Sequence, residues 1–127
     1  MGTLIAELRT AGIASKRVRG GEPAPGDVQP AGSFQRFVVL SILGYLRLHR
    51  TPLATWRIGV RSYAPTFQDA AALYGEISDA LDNIGPRLST SGVAIYQSLD
   101  DTGGSASADP TTSQPYMDGV LEVIAGT

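Results

Sequence analysis

The chain has 127 residues, of which 43% are hydrophobic and 17% charged, with no cysteine, one histidine and a formal net charge of −2. This length suits one domain around one hydrophobic core, so we predict a single domain over residues 1–127. Without cysteine, disulfides, thiolate nucleophiles and thiolate metal ligands are excluded. The apolar run Phe37–Leu46 falls short of the roughly 20 residues that a membrane-spanning helix needs. We therefore expect a soluble protein with no membrane partner.

The charges are unevenly distributed along the chain. Residues 1–64 carry nine basic and three acidic residues, net +6, whereas residues 65–127 carry one basic and nine acidic residues, net −8. If this split survives folding, the molecule has a basic side and an acidic side. A subunit with two unlike sides can stack on copies of itself, because complementary potentials fix register. Chance unevenness in a short chain is the alternative.

The first third of the chain predicts two short elements and a loop. The apolar spacing over Leu4–Ala11 indicates an amphipathic helix, and Gly12 is a suitable residue to end it. Ser15–Arg19 is compatible with a brief strand. Residues 20–32, GGEPAPGDVQPAG, are rich in glycine and proline, which predicts a flexible loop.

Two strands follow. Phe34–Leu46 is rich in β-branched and aromatic residues and is predicted to be buried on both faces, with Gly44 as a bulge. Thr55–Tyr63 alternates with a period of two, as a half-exposed strand does. One face of this second strand would carry Trp56, Ile58 and Val60, and the other would carry Arg57, Gly59 and Arg61.

A long amphipathic helix is predicted over Thr66–Ile84. Thr66 is a good N-cap, Asp69 suits the first turn, and Gly85-Pro86 ends the helix. Apolar residues recur at spacings of three and four. The acidic residues Glu76, Asp79 and Asp82 would lie on its exposed side.

The remaining chain completes the fold class. Val93–Leu99 and Tyr116–Ala125 are predicted strands, separated by a long flexible loop over residues 100–115. The resulting order is α-β-β-β-α-β-β. It predicts an α+β fold with a mostly antiparallel sheet of about five strands, a short N-terminal helix and one long helix packed on the sheet.

No catalytic, cofactor-binding or metal-ligating residues are predicted. His49 is the only imidazole and stands in a basic turn with no acid beside it to orient it. Asp100 and Asp101 begin a glycine-containing turn, but the spaced oxygens and closing Glu of a calcium loop are missing. Asp79 and Asp82 fit a solvated helix face better than a pair of catalytic carboxylates.

Three segments carry a resemblance to a known family. They are FQRFVVL (34–40), RIGVRSYAPTFQDAAALYGEISDAL (57–81) and ADPTTSQPYMDGVLEVIA (108–125). Together they resemble the tail terminator proteins of long-tailed bacteriophages, especially the actinobacteriophage type. The correspondence lies in a strand with an exposed basic residue, a tyrosine-containing turn, an alanine-rich helix and a later loop with an Asp-Pro step. Here these are Arg61, Tyr63, Thr66–Ile84 and Asp109-Pro110.

The resemblance implies a structural virion protein without enzymatic activity or cofactor. Such proteins form a homo-oligomeric ring, usually a hexamer, at the head-proximal end of the tail tube, in the head-tail interface of a virion assembled in the host cytoplasm. The ring ends tube polymerisation and joins the tail to the head connector. The implied partners are other copies of the chain, the tail tube protein and the head-closure protein, with genomic DNA passing through the lumen without sequence-specific binding. The implied interface or lumen candidates are Arg57, Arg61, Glu76, Asp79, Asp82, Asp100, Asp101 and Asp109.

Two alternatives stay open. The glycine- and proline-rich segment 20–32 departs from the terminator pattern and is compatible with another neck component, such as a head-closure or adaptor subunit. A small nucleic-acid-binding module is the other alternative, because Arg57 and Arg61 could meet phosphates. The low isoelectric point of about 5.2 and the scarcity of lysine argue against it.

Overall fold

The architecture is that of an α+β protein, as predicted. A computed structural model of the chain describes residues 2–47, 53–81, 87–88, 94–100 and 104–126. Its α-helices are α1 (Gly2–Thr10) and α2 (Phe67–Leu81), and a short 3₁₀ segment covers Ile13–Lys16. Its strands are β1 (Val18–Gly20), β2 (Phe37–Arg47), β3 (Leu53–Tyr63), β4 (Arg87–Leu88), β5 (Ala94–Asp100), β6 (Ser105–Ala108) and β7 (Pro115–Gly126).

All the strands belong to one sheet in the order β1-β2-β3-β7-β5-β4, with β6 also paired to β7. The pairing of β1 with β2 is parallel and the others are antiparallel, which confirms the predicted sheet type. The central strands β2, β3 and β7 are the longest, and their register is regular except for a shift between Ile42 and Gly44. That shift confirms the bulge predicted at Gly44. Strands β5 and β6 follow one another along the same side of β7.

Helix α2 begins where the sequence predicted. The Asp69 backbone N–H donates to Oγ1 of Thr66 over 3.1 Å, which satisfies one of the amide groups that a helix start leaves open. The predicted apolar stripe faces the sheet, with Leu73 and Leu81 fully buried. The described helix ends at Leu81, so Asp82 and the predicted end at Ile84 lie outside the described residues.

The main core lies between the two helices and one face of the sheet. Helix α1 is held against β1 by Arg9, whose guanidinium donates to the Val18 carbonyl over 2.7 Å. Gly12 follows the helix with a φ of +75°, a conformation that glycine adopts without strain. The buried side chains of this core include Leu4, Leu8, Val38, Leu40, Ile58, Val60, Leu73, Ile77, Leu81, Ile95, Leu121 and Val123.

Strand β2 has two unlike halves. Phe37–Leu40 is buried, whereas Ser41–Arg47 is exposed or half-buried. The prediction of a strand buried on both faces is therefore right only for its first half. The reason is that β1 covers only Val38–Leu40, so the rest of β2 forms an edge of the sheet among the described residues.

The two predicted loops differ in structure. Within residues 21–32 only turns occur, and buried Asp27 accepts hydrogen bonds from Arg19 (3.0 Å) and from the Ala24 N–H (2.8 Å). The prediction of a loop over 100–115 is wrong in part, because Ser105–Ala108 forms β6 and pairs with β7. These residues, Ser-Ala-Ser-Ala, alternate with a period of two, but serine and alanine have little preference for strands, so the pattern is a weak indication of one. Neither helix described is long and apolar enough to cross a membrane.

Candidate functional site

The sheet face opposite the helices carries an aromatic cluster. Phe37, Tyr63 and Tyr116 lie on neighbouring strands at one register level. The Phe37 and Tyr63 rings are stacked with centroids 4.3 Å apart, and the Tyr63 and Tyr116 centroids are 5.1 Å apart. All three are buried together with Val39, so they form a second, smaller core on this face.

Arg61 lies directly beside this aromatic cluster. Its guanidinium lies 5.0 Å from the centroid of the Tyr116 ring and 3.9 Å from a carboxylate oxygen of Asp118, which combines a cation–π contact with an ion pair. A side-chain hydrogen bond to Tyr63 raises the pKa of Arg61. Burial raises the pKa of Tyr63, partly offset by the hydrogen bond with Arg61. The predicted strand face of Arg57, Gly59 and Arg61 is confirmed, but Arg61 is engaged within its own chain.

A groove of about 400 Å³ runs along this face beside the aromatic cluster. Gly59, Leu43 and Arg61 are among the residues that line it. A side chain at position 59 would begin 2.9 Å from Oγ of Ser41 and 3.3 Å from the methyl groups of Leu43. Because glycine has no side chain, the Leu43 side chain can pack against β3 at this position. The groove joins the aromatic cluster to the exposed half of β2.

Large apolar side chains are exposed along that half. Four residues, Ile42, Leu43, Tyr45 and Leu46, are 49%, 59%, 51% and 66% exposed. We call these four residues the apolar edge. In the described part of the chain only Val28 and Phe67 are comparable exposed large hydrophobic residues, so the apolar edge is a concentration of such residues. Exposed apolar side chains concentrated on one strand make it a candidate contact site for other molecules.

The predicted charged sites are dispersed rather than brought together. Glu76 on α2 accepts a 2.6 Å hydrogen bond from Arg36, which also lies 3.4 Å from Asp69. Asp79 is exposed on the same helix. Arg57 is exposed on β3 and stands at the register position of Glu122 on β7.

The remaining predicted sites lie around β5 and β6. Asp100 is the last residue of β5, and Asp101 lies outside the described residues. Oδ1 of Asp109 accepts hydrogen bonds from the backbone N–H groups of Thr111 (2.8 Å) and Thr112 (3.1 Å) and so shapes the turn after β6. Among the described residues, no group of three or more His, Asp or Glu side chains is placed to hold a metal ion.

The fold interleaves the basic and acidic halves of the sequence. Arg36 meets acids of α2, and Arg61 meets Asp118 of β7. Both contacts join residues before position 65 to residues after it. On the sheet face the +6/−8 division is therefore not a spatial division, because β3 of the basic half pairs with β7 of the acidic half.

Sequence reasoning missed the aromatic cluster and the apolar edge. Phe37, Tyr63 and Tyr116 are far apart in the chain, and only strand register brings them together. One available signal was Gly44: a bulge within an apolar strand, followed by Tyr45 and Leu46, indicates a change of environment along the strand.

No protein-family model and no curated protein matches this sequence. Among solved structures, the chain is similar to a chain of the structure titled "Virion of native gene transfer agent (GTA) particle", with a TM-score of 0.70. The sequences are 15% identical, and the match covers 98% of this chain and 92% of that chain. At this identity the likeness shows a shared fold.

Proposed function

We propose that this chain is a non-enzymatic structural subunit of a phage-like virion. The observation that carries the proposal is the fold shared with a virion-particle chain over 98% of one chain and 92% of the other. The match spans nearly all of both chains, so it supports a comparison of the two folds as wholes. The exposed apolar edge supports a role in assembly, because such surface is normally covered by a partner.

Within the virion, we propose that the chain forms the tail terminator ring. The ring would cap the head-proximal end of the tail tube, contact the tail tube protein on one side and the head-closure protein on the other, and let DNA pass through its lumen. A closed ring needs two unlike flanks on each subunit. This chain has them, since β1 and β2 form one flank of the sheet and β4, β5 and β6 form the other.

The charged residues singled out in the sequence are candidates for these contacts. Arg57 and Asp79 are exposed and are proposed to meet neighbouring subunits or the lumen. The same role is proposed for Asp82, Asp100, Asp101 and Asp109. Arg61 and Glu76 already have partners within the chain, so their contribution would require a shared or exchanged ion pair.

A nucleic-acid-binding module is less well supported by this geometry. Arg61 is paired with Asp118, and Glu122 stands beside Arg57 in the register. Acidic groups at these positions repel phosphates and weaken the electrostatic attraction on which such binding depends.

Negative-stain electron microscopy tests the proposal directly. The purified protein is imaged alone, and tail tube protein is polymerised with and without it. We expect rings of uniform diameter, and tubes that stop growing with a ring at one end. Rings that join head-closure protein but leave tube length unchanged would identify another neck component instead. A monomer at every salt and protein concentration, with no effect on tubes, would refute both roles.

A further inference from the structure

We propose that the exposed half of β2 forms an antiparallel strand pair with β6 of the next copy of the chain. This pairing would extend the sheet from one subunit to its neighbour. The inference deepens the proposed ring and rests on it, since it names the strands that join adjacent subunits. It is carried by the backbone directions, the side chains and the charges of the two flanks.

The backbone of β2 offers hydrogen-bonding groups to a partner. Val38 N–H donates to the Arg17 carbonyl over 2.8 Å, and the Leu40 carbonyl accepts from Gly21 N–H over 2.7 Å. Successive residues of a strand direct their backbone N–H and C=O groups to opposite sides. Ile42 therefore directs these groups away from β3, as Val38 and Leu40 do. Beyond Leu40, no strand of the described chain lies on this side of β2. A partner strand can therefore bind there.

Beyond the bulge, β2 again has a residue whose backbone N–H and C=O groups point away from β3. Val39 pairs with Arg61 and Gly44 with Arg57, so odd-numbered residues of β3 direct their backbone groups toward β2. Tyr45 stands opposite Trp56 and consequently directs its own groups outward. Ile42 and Tyr45 are thus the donors and acceptors of the open edge.

The complementary edge is β6 on the other flank. Ala106 lies opposite Met117, and Met117 lies opposite Ser62. Because Val38 directs its groups to β1, its partner Ser62 directs its groups to β7, where Met117 receives them. Ala106, on the far side of Met117, therefore directs its groups away from β7, and so does Ala108. Within the described residues no strand other than β7 pairs with β6.

Strand direction makes the two edges compatible. Strands β2 and β7 are both antiparallel to β3, and β6 is antiparallel to β7. Copies related by rotation about an axis to which the strands are inclined would keep these directions and bring β6 of one copy beside an antiparallel β2 of the next. Since β1 already occupies the position beside Val38–Leu40, the neighbour must be displaced along the strands, as closed sheets require.

The side chains of the two edges differ in size in the way that close packing needs. All four residues of β6, Ser105–Ala108, are small and exposed. The apolar edge carries large side chains. Pairing would place these small side chains beside the large ones on each face of the joined sheet, where they leave the large side chains room.

The charges of the flanks agree with this arrangement. Exposed Lys16 and half-buried Arg17 precede β1, and exposed Arg47 ends β2. On the other flank, Asp100 ends β5 and Asp109 follows β6. The displaced antiparallel pairing would bring Arg47 toward Asp100. Opposite charges at this end favour one register over its alternatives.

Cysteine cross-linking tests the pairing, because the natural chain has no cysteine. Double variants combine Ile42→Cys or Tyr45→Cys with Ala106→Cys or Ala108→Cys, which covers the displacements that keep outward groups facing each other. Within one chain β3 and β7 separate these positions, about 14 Å at the usual strand spacing. That distance excludes an internal disulfide. We expect at least one double variant to give an oligomer ladder on mild oxidation that disappears on reduction.

Single variants and a matched control sharpen the result. Tyr45→Cys mixed with the matching β6 variant should stop at dimers, and neither should cross-link alone. The control Val28→Cys with Ala106→Cys, at another exposed apolar residue, should give no ladder. Dimers of Tyr45→Cys alone would overturn the proposal in favour of two β2 edges paired to each other.

Tyr45→Lys should weaken self-association about tenfold or more, by placing a charge on the edge, whereas Val28→Lys should not.

The outcomes separate this inference from the proposed function. Rings seen by microscopy without any cross-link in the four double variants would overturn the strand pairing and leave the ring intact. A ladder in a protein that does not limit tube length would support the pairing and refute the terminator role. Cross-linking of Tyr45→Cys to a cysteine variant of the tail tube protein, but never to β6, would overturn the pairing by assigning the edge to the tube.

Discussion

The two halves of β2 are both largely apolar but lie in different environments. Phe37–Leu40 and Ser41–Arg47 are both rich in apolar residues, yet the first is buried between two cores and the second is mostly exposed. The difference arises from coverage: β1 pairs with the first half and stops there. Hydrophobicity alone therefore does not locate a core in this chain. The exposed half has the composition of an interior strand without the cover of one, which is the usual condition of an assembly surface.

Two leucine substitutions, one in each half of β2, test the difference between the halves most directly. Leu40 is fully buried and Leu46 is 66% exposed on the same strand. We expect Leu40→Ala to lower the free energy of unfolding by about 2–5 kcal/mol, through lost burial and a residual cavity. Leu46→Ala should change it by no more than about 0.5 kcal/mol but weaken self-association. Denaturant unfolding and sedimentation of both variants measure the two effects, and equal destabilisation would contradict the assignment of the two halves.

Paired glycine substitutions test how the exposed half lies on the sheet. A Cβ at Gly59 would meet Ser41 and Leu43 at 2.9 and 3.3 Å, whereas one at Gly44 would meet only Arg57 Cβ at 3.9 Å. We expect Gly59→Ala to cost about 1 kcal/mol through overpacking, because the atoms that the new Cβ meets are side-chain ends of Ser41 and Leu43 that can move aside.

Gly44→Ala is the matched control for this overpacking, since its Cβ has room. It should be within about 0.5 kcal/mol of the natural protein. Thermal unfolding followed by circular dichroism compares the two variants. If Gly44→Ala proved the more damaging, the close approach of Leu43 to β3 would be wrong.

The free energy of unfolding should depend on alkaline pH through the ionisation of Tyr63, which lies beside the buried half of β2. Burial raises the pKa of Tyr63 above its ordinary value, so the folded state retains the phenolic proton at a pH where the unfolded chain loses it. The free energy of unfolding is then fully maintained below about pH 10 and falls as the pH rises further. Tyr63→Phe should flatten this fall, as measured by denaturant unfolding over the alkaline range. An unchanged slope would show that Tyr63 is not the responsible group.

The sequence was sufficient to predict the long helix and the main strands, but not which parts of them other strands pair with or leave exposed. Helix α2, the alternation of β3 and the bulge at Gly44 follow from spacing and local chemistry, which act between residues close in the chain. Strand β6 escaped prediction because Ser105–Ala108 depends on β7 for its pairing. The exposure of the apolar edge escaped because it depends on where β1 ends. Both are properties of the sheet as a whole, and hydrophobic pattern along one strand does not contain them.

The smallest expected effect on the free energy of unfolding comes from removing the ion pair that joins the start of β2 to α2. Arg36 immediately precedes β2 and contacts Glu76, whose carboxylate is half exposed. An ion pair of this exposure contributes about 0–1 kcal/mol and is screened by salt. Glu76→Gln should therefore lower the free energy of unfolding by less than about 1 kcal/mol, and less at high salt than at low salt.

Asp79→Asn is the matched control for this ion pair, because the described part of the chain provides no ion pair for Asp79. It removes the same charge from the same helix, so it reports the helix dipole and general electrostatics without the Arg36 contact. A larger effect of Glu76→Gln at low salt, converging with that of Asp79→Asn at high salt, would isolate the pair. Equal effects at all salt concentrations would mean that the buried half of β2 is fixed by β1, β3 and its apolar packing, and that the ion pair only follows their placement.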